Sequence, residues 1–217
     1  HLVLQDYLGQ LLPDRLAAST GDQHRLLWQT DPKAFDAGLF QPAPTGNPPG
    51  TNNGKRWPYS SSFQVTTSSY DKSKVGSRIS QIGIPHNFYS VPGTCVLGKV
   101  KLSDTAYPAQ KIHMHDQHQR HFGKHQLYFG YPQARVVVSL MDNSCSVRVS
   151  GDCNRGWQPN SPTSVAASNC VYTPDAWEPP TPTGIPENIP YGYYRWTRGF
   201  NTGVDYRGTE INTGQMP

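Results

Sequence analysis

Proline and glycine constrain this chain more than any other feature: there are 20 of each among 217 residues, gathered in stretches that a long helix or a central strand cannot cross. Residues 41–54 hold four Pro, three Gly and three Asn and read as a surface loop. The stretch 155–190 is dense enough in proline to exclude long regular structure. The remaining apolar segments are short, so the expected core is small and loop-rich. With 11% aromatic residues and a net charge of only +4, the chain is expected to fold rather than stay disordered. Its length fits one domain, 1–217. No stretch approaches the roughly 18–20 apolar residues of a membrane span, and the basic residues form no run that suggests nucleic-acid binding, so neither partner is expected.

Between the punctuated stretches, periodicity suggests the elements. Leu2, Leu4, Leu8, Leu11, Leu12 and Leu16 recur at about a helical turn and predict a helix before Gly21. Arg25–Asp31 reads as a strand stopped by Pro32, with a short helical turn at 34–37. Further strands are expected at Ser62–Thr67, Thr94–Leu102, Leu127–Tyr131, Ala134–Leu140, Cys145–Ser150 and Tyr191–Trp196, and a polar helical segment at Asp71–Ser80. Ala134–Leu140 is the clearest interior strand. The expected class is α+β, with peripheral helices and long loops.

Cys95, Cys145, Cys153 and Cys170 lack the paired spacing of a zinc site and read as two disulfides, which implies an oxidising compartment and a secreted protein. The first residue is His rather than Met, in keeping with processing. Of the three possible connectivities, the Gly151–Asp152 turn favours Cys145 with Cys153, leaving Cys95 with Cys170.

Five of the eight histidines, His113, His115, His118, His121 and His125, lie between Lys111 and His125. They are weak candidates for metal ligands, because no HExxH-type spacing sets them together. A solvated, histidine-rich surface that folding does not require is the simpler expectation. An N-terminal His1 could chelate copper, but nothing in Leu2–Asp6 supports that chemistry, and serine- and cysteine-hydrolase motifs are absent.

Glu178, Glu187 and Glu210 are the chain's glutamates, and Glu178 stands stiffly between Trp177 and Pro179. Three segments then resemble the cholera-toxin-like (heat-labile enterotoxin A chain) ADP-ribosyltransferases. Leu27–Pro42 resembles their opening strand and turn, Ser62–Ser68 their Val-Ser-Thr-Ser strand, and Glu178–Trp196, with Gly184-Ile-Pro-Glu-Asn-Ile-Pro-Tyr-Gly-Tyr-Tyr-Arg195, their catalytic glutamate and Gly-Ile-Pro segment. Val136–Val149 looks like their central strand pair. Residues from about 83 to 133 have no counterpart and are expected to be an insertion.

The resemblance implies a small two-sheet mixed β core, here with disulfides, and a cleft for NAD. It makes Glu178 the catalytic carboxylate that stabilises an oxocarbenium-like transition state. Thr66, Thr67 and Ser68 become the hydroxyl strand of the cleft, and Asp31 the polar partner on the first strand. The family's NAD-gripping Arg falls on Gln29, a neutral amide, and its acceptor-activating Glu on Ala176. These departures imply a secreted toxin-like effector with an impaired transferase site and no cofactor, acting on a host protein. The alternatives are an active mono-ADP-ribosyltransferase that uses NAD on a non-arginine acceptor, and a metal- or carbohydrate-binding β-rich module.

Overall fold

The computed structural model describes residues 15–31, 33–34, 37, 61–72, 80–82, 88–90, 93, 95–98, 100–156, 170–172, 174, 180–184, 187–189, 191–197 and 199–207. Its centre is the clearest alternation in the sequence. In strand β7 (Arg135–Leu140), Val136, Val138 and Leu140 are buried, Arg135 is exposed, and Val137 and Ser139 are half-buried, so the pleat's period of two becomes an inside and an outside. The turn that follows places Asn143 at φ 66, a left-handed conformation asparagine tolerates better than most residues. The chain then returns in β8 (Cys145–Val149), paired antiparallel from Arg135↔Val149 to Ser139↔Cys145.

On its other side β7 pairs with β4 (Ile112–Asp116), and β4 pairs with β1 (Phe63–Val65), giving a four-stranded antiparallel sheet of order β1-β4-β7-β8. Three antiparallel ribbons accompany it: β2 (Ser80–Ile82) with β3 (Phe88–Ser90), β5 (His118–Gln119) with β6 (Leu127–Tyr128), and β9 (Cys170–Tyr172) with β10 (Glu187–Ile189). With helix α1 (Gln23–Thr30) and several 3₁₀ turns, the fold is α+β. Every strand pairing among the described residues is antiparallel, in place of the expected mixed sheets.

The core is aromatic. Tyr128 and Tyr172 stack at 4.2 Å and 8°, and Tyr131 meets Tyr172 edge-on at 6.1 Å, contacts worth about 0.5–1.5 kcal/mol each beyond their area. Tyr172 thereby anchors the proline-rich stretch to the sheet side of the molecule. That stretch leaves and returns at one joint: Tyr193 N donates to Arg155 O at 2.9 Å, and Gly156, at φ 78, lies so close that a Cβ there would sit 2.4 Å from Tyr193 O.

Ala134–Leu140 and Cys145–Ser150 form strands as expected, whereas several other segments differ. Arg25–Asp31 is helical, not a strand. Asp22 caps α1 by accepting from Arg25 N at 3.4 Å, and the helix ends at Asp31 in extended backbone (φ −150, ψ 90), as a residue before proline requires. The Ser62–Thr67 strand shrinks to β1 because a 3₁₀ turn begins at Thr67, and Leu127–Tyr131 shrinks to β6. Among the described residues, 94–102 forms no strand: it contributes the bridge Asp71↔Leu97 and, at Leu102, the start of a 3₁₀ turn. Tyr191–Trp196 ends in a 3₁₀ turn, with Tyr193 at φ 49, which no strand accommodates. The expected helix before residue 15, the 41–54 loop and most of 71–80 lie outside the described residues.

Two larger corrections concern the histidines and the cysteines. The histidine stretch, within the segment expected to be an insertion, supplies β4, an inner strand of the sheet, so Ile112–Gln119 is integral to the core rather than dispensable. Neither expected disulfide forms. Cys145 is exposed at the start of β8 and Cys153 is buried beyond its end, because the strand runs on to Val149 and carries the two apart at about 3.3 Å per residue. Cys95 keeps its thiol, which donates to Asp71 Oδ1 at 3.5 Å, so it is not bonded to Cys170.

Candidate functional site

The hydroxyl segment expected to line a nucleotide cleft folds into a turn that bonds to its own protein. Thr66, Thr67 and Ser68 are buried. Thr66 Oγ1 donates to Ile112 O at 2.9 Å and lies 3.0 Å from Ser68 Oγ, and Thr67 Oγ1 donates to Arg195 O at 2.9 Å. The turn thus fastens β1 to β4 and to the Tyr193–Trp196 turn, each bond contributing about 1 kcal/mol net. Next along, Ser69 Oγ lies 2.9 Å from His113 Nδ1. Burial holds His113 below the ordinary imidazole value, so it is a neutral partner at pH 7. Among the described residues no carboxylate bonds to the other nitrogen of His113, so the pair lacks the orienting third group of a hydrolase triad.

Gln29 stands half-buried in α1, and Asp31 is exposed and caps the next turn by accepting from Ala34 N at 2.9 Å. Glu178 and Ala176 lie outside the described residues. Of the residues expected at the NAD site, the structure brings Thr66, Thr67 and Ser68 together.

The histidines part company. His115 is fully enclosed, 4.7 Å from the Phe129 ring and 4.9 Å from the Tyr194 ring, with Nδ1 donating to Asp116 O at 3.0 Å. Burial first, and then the nearby Arg195 guanidinium, push its pKa down to about 3. His118 is buried, His113 half-buried, and His121 and His125 exposed, with His121 Nε2 2.9 Å from Ser19 Oγ. Among the described residues no three His, Cys, Asp or Glu side chains converge on a point that could hold a metal ion.

The charged side chains of the interior combine local pairs, Asp22 with Arg25 and Asp116 with Arg120, with partners far away in the chain that carry no local sequence signal. Arg195 is 2% exposed, donates to Gln64 Oε1 and lies 4.4 Å over the Phe129 ring. Lys111 Nζ meets Asp205 Oδ1 at 3.1 Å and donates to Thr197 Oγ1 at 2.6 Å, while Asp205 Oδ2 accepts from Ile112 N at 2.7 Å. Burial raises the Asp205 pKa despite the Lys111 charge. Under α1, Asp22 pairs with Arg25 and, at 3.1 Å, with Arg120, which in turn pairs with Asp116. Burial opposes ionisation of both carboxyls; Arg25, Arg120 and Ser62 overcome it at Asp22, whereas at Asp116 burial prevails and raises the pKa.

No family model, curated protein or solved structure matches this chain. A functional reading therefore rests on these residues and their chemistry. Among the described residues, no helix is long and apolar enough to cross a membrane.

Proposed function

We propose that this chain acts by binding rather than by NAD-dependent group transfer, as a secreted effector with transferase-like segments and an impaired catalytic site that recognises a host protein. The observation that carries this reading is the Thr67 hydroxyl. It belongs to the segment that would order a nucleotide cleft, yet it donates to the Arg195 carbonyl at 2.9 Å, with Thr66 and Ser68 similarly engaged. Releasing such bonds to meet a ligand costs about 1 kcal/mol or more apiece. Gln29 supports the same conclusion, since a neutral amide on a helix offers a pyrophosphate none of the charge-assisted contact a guanidinium gives. Assignment of the α+β fold to the ADP-ribosyltransferase type is part of the proposal.

Calorimetry and a nicotinamide-release assay test it. NAD is expected to bind no tighter than about 1 mM, or roughly 4 kcal/mol, with no turnover. Clear turnover by the natural chain, abolished by Glu178→Gln, would overturn the proposal and establish an active mono-ADP-ribosyltransferase instead.

A further inference from the structure

Just beyond the hydroxyl turn the chain enters a cleft of about 310 Å³, lined by Asp71, Lys72, Val100, Asp104 and the segment Gly199–Thr202. That is the lower end of the ~300–1,000 Å³ typical of small-molecule sites, suited to a single ring rather than an extended ligand. Across its rim Lys72 Nζ meets Asp104 Oδ2 at 3.0 Å, with the side chains 49% and 34% exposed, and Asp71 sits buried below. The opposite wall is irregular. Phe200 holds φ 50, a conformation that a bulky residue keeps only where its surroundings impose it. Its neighbour Asn201 has a buried Oδ1 that no donor among the described residues matches, at a cost of roughly 1–3 kcal/mol.

The mixture of groups narrows the ligand. An anion would face the carboxylates of Asp71 and Asp104, and a cation would have to displace Lys72 from Asp104. Neutral hydroxyls avoid both penalties, because they donate to carboxylates and amide oxygens while accepting from an ammonium. Val100 supplies an apolar contact for the ring's C–H groups. We propose that this cleft binds a neutral polyhydroxyl ligand, one sugar ring of a glycan, held by Lys72, Asp104 and Asn201. The proposal goes beyond the binding reading above and stands whatever the NAD assays return.

The test is saturation-transfer NMR on the full chain with methyl glycosides of glucose, galactose, mannose and N-acetylglucosamine, with free arginine and inorganic phosphate as charged competitors. At least one glycoside is expected to bind near millimolar affinity and to be displaced by neither competitor. Lys72→Ala, at the exposed rim, should weaken binding about tenfold, the equivalent of one charge-assisted hydrogen bond, and Asn201→Ala similarly, while Lys124→Ala on an exposed loop should not. If Asn201→Ala does not fold, Lys72→Ala decides alone. No binding across the panel, binding indifferent to Lys72→Ala, or capture of arginine or phosphate in place of a sugar would each overturn the proposal.

Discussion

Lys111 and Asp205 meet in complete enclosure, one cation against one anion, whereas Asp22, Arg25, Arg120 and Asp116 share their charges as a linked series beneath α1. Both arrangements are neutral and both are buried, yet they differ in redundancy. In the pair, Thr197 and the Ile112 amide also donate to Asp205's carboxylate, and among the described residues no other charge pairs with Lys111 or Asp205. In the series, Arg120 is held by two carboxylates, so losing one leaves it a counter-charge. A buried ion pair adds little net stability against a well-packed apolar alternative, but breaking one is severe. The difference between the two regions therefore lies in what remains after a break.

The sharpest way to break the comparison is Asp205→Ala, which leaves Lys111 charged and unanswered. A loss of about 3–5 kcal/mol is expected in urea unfolding, with most of it restored in the double variant Lys111→Met/Asp205→Leu. A double variant as unstable as the single one would show that the pair's charge is not the source.

His115 sharpens the comparison from a third side, as an enclosed ionisable group that remains neutral. Its folded pKa, about 3, lies below the ordinary imidazole value, so its contribution to stability is complete above pH ~6.5 and is lost as pH falls toward 3. The slope is at most about 1.4 kcal/mol per pH unit for one proton, or roughly 2–3 kcal/mol between pH 6.5 and 4.5. Urea midpoints at those two pH values should converge in His115→Leu; an unchanged gap would assign the acid sensitivity elsewhere.

The smallest effect belongs to the shared series. Asp116→Asn keeps the side-chain size and leaves Asp22 to hold both Arg25 and Arg120, so a loss of about 1 kcal/mol is expected at pH 7. Because burial raises the Asp116 pKa on folding, ionising that carboxyl works against the fold as pH rises from its ordinary value near 4 through the folded one, a slope the variant lacks. The natural chain's advantage over the variant should therefore be largest below pH ~4 and shrink as pH rises. A loss at pH 7 as large as that of Asp205→Ala would show that the series is no more redundant than the pair.

Sequence periodicity disclosed the β7–β8 hairpin because its information is local: alternation in Arg135–Leu140 and again in Cys145–Val149, joined by a turn with Asp142, Asn143 and Ser144. Arg25–Asp31 misled because Leu26 and Leu27 are adjacent and fit either period, while the decisive signal, Asp22 three residues ahead of Arg25, is a cap. The histidine segment misled for the opposite reason. Polarity suggested water, but His115 and His118 are enclosed by Phe129, Tyr194, Tyr128 and Tyr172, of which Tyr172 and Tyr194 lie far along the chain. Of the candidate site, the hydroxyl cluster at 66–68 was legible as a group. Its use was not, since the acceptors Ile112 and Arg195 lie 46 and 128 residues away.

The joint at Gly156 and Tyr193 has a consequence for how this chain can vary. With its ends fastened, 157–192 is a closed excursion, and closure entropy grows only with the logarithm of length, by about 0.6 kcal/mol for each doubling. That is less than the roughly 1 kcal/mol of one backbone hydrogen bond. About six residues inserted after Asn160 should leave the thermal melt almost unmoved, while Gly156→Ala, whose Cβ would lie 2.4 Å from Tyr193 O, should lower it plainly. Length is thus nearly neutral inside the excursion, apart from the anchor at Tyr172, and fixed at its two ends.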